Sequence, residues 1–274
     1  MRNIPSSNLW RTVSIAAVLS TLLMLTGFGY AVKDMLWPQG ETFIGESPTT
    51  PPPENKSLSA SSEIRITAFG DSLTKGTGDA TGEGYVKQVM ALLTEKWDKP
   101  VSLTNNLAVN GMHAGRLSEL LRGDKGYEYA ISQSNLILFT IGGNDLFQLA
   151  TGKSASEATG EVDLDKLKEQ LPSGLQRFKA VIERIHEINP NAQVVYMGLY
   201  NPFYDIDELR EGSLAIQQWN QEAYAIMHPY SNMTLVPTFD LFENTIGTYL
   251  SSDHFHPNHD GYAQIAARIV QSLD

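Results

Sequence analysis

The chain has 274 residues, is 42% apolar and carries a formal net charge of −11. Basic and acidic side chains balance over residues 1–62, so the whole excess falls on residues 63–274, with 16 basic against 27 acidic. Such an acidic domain argues against nucleic-acid binding, which needs Lys and Arg on phosphate. The absence of Cys excludes disulfides, thiolate metal sites, a Cys nucleophile and lipidation of an N-terminal Cys.

Arg2 and Arg11 precede an uncharged run of 21 residues, Thr12 to Val32. A bilayer span needs about 20 apolar residues, so the run reads as an uncleaved signal anchor over 12–32. The two arginines and the free amino terminus place residues 1–11 in the cytoplasm. Gly29-Tyr30-Ala31 offers a cleavage site for the alternative, a secreted protein. Residues 33–62 are proline- and serine-rich, from Ser47-Pro48 through Pro51-Pro52-Pro53 to Ser61-Ser62, and read as an extended linker. This organisation describes a single-pass cell-membrane protein with residues 63–274 as one extracytoplasmic domain.

From Ile64 the pattern alternates strand and helix. Ile64, Ile66 and Ala68 lie on one face of a first strand that stops at Gly70-Asp71-Ser72. Tyr85 to Trp97 reads as a helix with Val86, Val89, Met90 and Leu93 on one face. Val101 to Leu107 reads as a second strand. Asn135 to Ile141 is a near-continuous apolar run, as expected of a strand buried on both faces. Leu175 to Ile188 is an amphipathic helix, with Pro172 marking its start and Asn189-Pro190 its end. Gln193 to Leu199 reads as a fourth strand, Leu214 to Met227 as a helix, Thr234 to Pro237 as a fifth strand, and Asn258 to Leu273 as the closing helix. Strands separated by helices imply a parallel sheet with right-handed crossovers.

Three strand ends carry unusual residues: Gly70-Asp71-Ser72, Asn110-Gly111 and Gly142-Gly143-Asn144-Asp145. A parallel sheet puts all three on its carboxyl edge, where ligands bind in open α/β folds. Ser72 is then a candidate nucleophile, although a turn or N-cap serine is the plainer reading. Gly111 offers a backbone N–H and Asn144 a side-chain N–H, the donors that an oxyanion site needs. Near the C-terminus stands Asp253-His254-Phe255-His256-Pro257. A three-residue spacing within one turn brings the Asp253 carboxylate to the His256 ring, and such a pair can take a serine proton. His254 and His259 are rival bases, and Asp253, His254, His256 and His259 are also potential metal ligands. His113, His186 and His228 read as ordinary surface or partly buried histidines.

Taken together, Gly70-Asp71-Ser72-Leu73, Gly111 after Asn110, Gly142-Gly143-Asn144-Asp145 and Asp253-His254-Phe255-His256-Pro257 resemble the four sequence blocks of the SGNH hydrolases, or GDSL esterases/lipases. They stand in that family's order across roughly residues 64–271. The resemblance implies a flavodoxin-like three-layer α/β/α sandwich on a five-stranded parallel sheet, with no metal and no cofactor. By motif position Ser72 resembles the nucleophile, His256 the base and Asp253 the residue that orients it. The Ser72 N–H, the Gly111 N–H and the Asn144 side chain resemble the oxyanion hole. The implied activity is carboxylic-ester hydrolysis on a small-molecule, lipid or glycan ester. The alternative is a carbohydrate O-acetylesterase or acyltransferase using the same triad. Phe147, Phe203, Tyr204 and Phe255 are candidates for an apolar wall, and the insert from Leu149 to Gln170 for a border of the site.

Overall fold

The computed structural model describes residues 6–36, 58–151 and 164–273. Helix α1 (Ser6–Leu36) forms a unit of its own. Within it, Trp10–Tyr30 is long and apolar enough to cross a membrane, and its Leu23, Met24 and Phe28 side chains are exposed. α1 runs past both ends of the expected 12–32 span. Most of the expected linker, residues 37–57, lies outside the described residues.

The second unit holds a short 3-10 turn, Leu58–Ala60, and then β1 (Ile64–Gly70), α2 (Ser72–Lys75), α3 (Gly84–Trp97) and β2 (Val101–Asn106). Next come α4 (Ala114–Gly123), α5 (Lys125–Gln133), β3 (Leu136–Thr140), α6 (Gly143–Thr151), α7 (Leu164–Ile188) and β4 (Gln193–Met197). The chain closes with α8 (Asp207–Arg210), α9 (Ser213–Met227), β5 (Met233–Val236), α10 (Phe239–Glu243), α11 (Ile246–Tyr249) and α12 (His259–Gln271). Leu58, which sequence reading assigned to the linker, is buried with the core side chains.

The five strands pair in parallel in the order β2-β1-β3-β4-β5. Period-two alternation splits the apolar strand residues between two layers. Phe69, Ile137, Phe139, Val194 and Tyr196 face one way and pack with Leu117, Phe178, Ile182 and Trp219 from α4, α7 and α9. Ile66, Ala68, Leu136, Leu138, Val195 and Met197 face the other and pack with Val89, Leu93, Ile265 and Ile269 from α3 and α12. The result is the expected three-layer sandwich.

One local expectation fails. Pro172 lies inside α7, which begins at Leu164. A mid-helix proline costs about 3 kcal/mol, but Leu167, Leu171 and Phe178 continue one buried stripe through it, and burial of each such side chain contributes about 1.5–3 kcal/mol. The expected insert is largely helical at its ends, through Thr151 in α6 and from Leu164 in α7, while residues 152–163 lie outside the described residues. The helices α4 and α5 were not expected from sequence.

Candidate active site

With this strand order the chain winds to opposite sides from β1 and β3, and a crevice opens between their carboxyl ends. Ser72 follows β1 and Asn144 follows β3, so they flank that crevice, and Gly111 follows β2 on the other side of β1. Three of the expected residues thus reach one edge through topology alone.

Asp71, not Ser72, caps α2, accepting from the Leu73 N–H at 3.1 Å. That leaves the Ser72 hydroxyl free of capping duty at the first helical position. Asp71 is buried and also accepts from the Thr140 hydroxyl at 2.6 Å. Thr140 in turn meets Thr74, whose hydroxyl lies 2.7 Å from that of Tyr85. Burial pushes the Asp71 carboxyl up, with the Thr140 and Leu73 hydrogen bonds opposing. This buried chain pins the Asp71-Ser72 turn to β3 and α3.

His256 arrives from the loop between α11 and α12. An antiparallel bridge, Leu250 to Pro257, closes the loop, and the Ser251 N–H donates to the His256 carbonyl at 2.8 Å. Tyr200 supports it from below by donating to the Phe255 carbonyl at 2.7 Å. Asp253 folds back inside the loop, accepting from Ser251 Oγ and from the Phe255 and His256 N–H groups at 2.8–2.9 Å. Its second oxygen lies 2.6 Å from His256 Nδ1. His256 Nε2 lies 2.8 Å from Ser72 Oγ. Burial works against the Asp253 charge, but the hydrogen bonds from His256, Ser251 and Phe255 outweigh it and hold the carboxyl down at about 2. Asp253 therefore stays ionised, able to fix the His256 tautomer and to balance an imidazolium.

Gly78 lets the β1–α3 loop approach the root of the His256 side chain closely. It has φ +96, and a Cβ there would stand 2.5 Å from the Pro257 carbonyl oxygen and 2.7 Å from His256 Cβ. The rival histidines are elsewhere. His259 Nδ1 lies 3.5 Å from the buried Asp79 and 3.3 Å from Thr81 Oγ1. His254 is exposed in the left-handed region at φ +53. His228 is exposed, and His186 packs on Tyr230. Of the four candidate metal ligands, Asp253 and His256 pair with each other, His259 turns to Asp79 and His254 is exposed, and no group of three or more His, Cys, Asp or Glu able to hold a metal occurs among the described residues.

Neither the Ser72 N–H nor the Gly111 N–H has a hydrogen-bond partner among the described residues. Asn144 Nδ2 donates one hydrogen to the Met112 carbonyl at 3.0 Å, which orients the amide and leaves its second hydrogen available. Of the expected apolar wall, Phe147, Phe203 and Phe255 meet at ring distances of 5.9–6.3 Å, and Phe255 packs edge-on to His256 at 4.8 Å. Tyr204 turns away to Phe239 and Glu243. Sequence reading missed Asp71, Asp79 and Asp145 as buried, hydrogen-bonded carboxylates. An Asp beside a helix start carries no sequence signal beyond a helix-end charge.

Several known proteins are similar to this chain. The sequence model of the GDSL-like Lipase/Acylhydrolase family matches residues 68–264. The uncharacterized protein YpmR of Bacillus subtilis (strain 168) is 34% identical over 214 residues, covering 77% of this chain and 81% of its own. The lipase Lip_vut3 from a goat rumen metagenome has the same fold, with a TM-score of 0.65 at 24% identity over 77% of this chain and 97% of that one. Axe2, an acetylxylan esterase from Geobacillus stearothermophilus, also shares it, with a TM-score of 0.56 at 18% identity over 77% and 94%. The chain belongs to the GDSL-like lipase/acylhydrolase family.

Proposed function

We propose that this chain is a serine esterase that cleaves carboxylic esters through an acyl-enzyme. The observation that carries the reading is the unbroken hydrogen-bonded line from Asp253 through His256 to Ser72 at the sheet crevice. Ser72 Oγ attacks the ester carbonyl while His256 Nε2 takes its proton. Asp253 holds Nδ1 and balances the imidazolium. The tetrahedral oxyanion is received by the Ser72 N–H, the Gly111 N–H and the second Asn144 amide hydrogen. His256 then protonates the leaving alcohol, and water, activated by the same ring, hydrolyses the acyl-enzyme. The ring group of Phe147, Phe203 and Phe255 spans from the Asn144 helix to His256 and supplies the apolar side of the substrate site. The apolar helix α1 anchors the protein, with the enzyme outside the cytoplasm, where membrane lipids and cell-wall glycans are the esters within reach.

The test is hydrolysis of p-nitrophenyl esters of increasing acyl length by the full chain in detergent, beside Ser72→Ala. Hydrolysis abolished by the substitution supports the reading. Activity confined to acetyl esters favours glycan deacetylation, the activity named for the fold neighbour Axe2. No Ser72-dependent hydrolysis at any length refutes it.

A further inference from the structure

β1 stands between β2 and β3 in the sheet, so the strand ends leading to Gly111 and Asn144 are two strand spacings apart, roughly 10 Å. To serve one oxyanion, the two loops must lean together over the end of β1 and stay there. Two hydrogen bonds make that crossing. Asn144 Nδ2 donates to the Met112 carbonyl at 3.0 Å, and the Ala114 N–H donates to Asp145 Oδ2 at 2.9 Å. The first uses the donor residue itself. The second uses its neighbour, which is 1% exposed and lies in the first turn of α6.

Asp145 is in turn held from α7. Arg177 Nε donates to Asp145 Oδ1 at 3.3 Å. The Arg177 stem crosses α4 at Gly115, where a Cβ would stand 3.0 Å from Arg177 Cδ. One arginine therefore touches both helices whose first turns carry the site loops. Burial pushes the Asp145 carboxyl up, while the Ala114 N–H, Arg177 and the nearby His113 oppose it. A buried carboxylate that caps one helix from another is costly to lose, since both its donors are then left unpaired.

We propose that Asp145, braced by Arg177, is a positioning residue that sets the separation of the Gly111 and Asn144 oxyanion donors. It touches no reacting atom and acts through Asn144. The inference rests on the esterase reading above. Its signature is a loss of turnover that depends on Asn144 being present.

The experiment is a double-mutant cycle in the full chain, read as kcat and KM on p-nitrophenyl acetate. Asp145→Ala lowers kcat about 10- to 100-fold with KM held within about threefold, because transition-state binding alone is lost. In the Asn144→Ala background the same substitution costs less than about threefold, the non-additivity expected of residues acting as a unit. Asp145→Asn, which keeps an oxygen for the Ala114 N–H, restores most of the parental kcat. Arg177→Met keeps the stem over Gly115, lowers kcat in the same direction and shows the same dependence on Asn144. If Asp145→Ala does not fold, the Asp145→Asn and Arg177→Met arms decide. Equal losses with and without Asn144, or a raised KM at unchanged kcat, overturn the proposal. Absence of Ser72-dependent hydrolysis in the parent overturns the esterase reading instead, so the two failures are distinguishable.

Discussion

Replacing Gly78 by alanine tests whether the β1–α3 loop holds the proposed base in place. The new Cβ would stand 2.7 Å from His256 Cβ and 2.5 Å from the Pro257 carbonyl oxygen. Carbon atoms at optimal separation sit about 3.5–4.0 Å apart, so the loop carrying His256 must retreat by roughly 1 Å. The His256 Nε2 to Ser72 Oγ distance of 2.8 Å then opens to nearly 4 Å, beyond a useful hydrogen bond. A misplacement of about 1 Å costs on the order of 10²-fold in rate. The assay is kcat on p-nitrophenyl acetate, with Gly82→Ala as control. Gly82 also has positive φ, at +70, but a Cβ there meets nothing within 4 Å. Both variants bear the backbone strain of a left-handed alanine, about 1–2 kcal/mol, and both lower the denaturant midpoint. Only Gly78→Ala loses turnover. Parental kcat in Gly78→Ala, or an equal loss in Gly82→Ala, refutes the reasoning.

Asn144→Ala lowers kcat about 10²–10³-fold if its amide receives the oxyanion, and a loss below tenfold in a kinetic assay contradicts that role. His256→Ala abolishes turnover, whereas His254→Ala, which removes an exposed ring, leaves kcat within about twofold, as surface changes usually do; the reverse order in the same assay sinks the base assignment. The folded-state carboxyl of Asp253 is depressed to about 2, so its stabilising effect is complete above the ordinary carboxylate range and is lost as pH falls through about 2. Denaturant midpoints of the parent and Asp253→Asn therefore differ by a constant amount above about pH 5, draw together from about pH 4 and converge only below about pH 2, and a difference at about pH 2 undiminished from that at about pH 5 contradicts the depression. Phe147→Ala opens the aromatic wall and raises kcat/KM for longer acyl chains relative to acetate, measured on the p-nitrophenyl series; an unchanged profile places the ring group outside the substrate site.

The segments legible in the sequence were those whose signal is local. Ile64 to Gly70 declares itself as a strand through the alternation of Ile64, Ile66 and Ala68, and Asn135 to Ile141 through a near-continuous apolar run. The amphipathic stripes of α3, α7 and α12 follow from side-chain spacing alone. The Asp253–His256 pair is legible because three residues of one turn already bring a carboxylate to a ring. The three motif-bearing strand ends are legible because any parallel sheet gathers them on one edge. The span of α1 needs only length and apolarity.

Other features depend on contacts distant in sequence. That α7 runs through Pro172 is decided by the leucines it buries against the sheet, which outweigh a local penalty. That His259 is engaged elsewhere depends on Asp79, which lies far away in the chain. The bridge from Asp145 to Ala114, the brace from Arg177 and the chain from Asp71 through Thr140 to Tyr85 join different elements, and no sequence period encodes them. Sequence alone determined which residue types reach the carboxyl edge of the sheet. Only the tertiary structure decided which of them meet, because hydrogen bonds between loops are set by how whole helices pack.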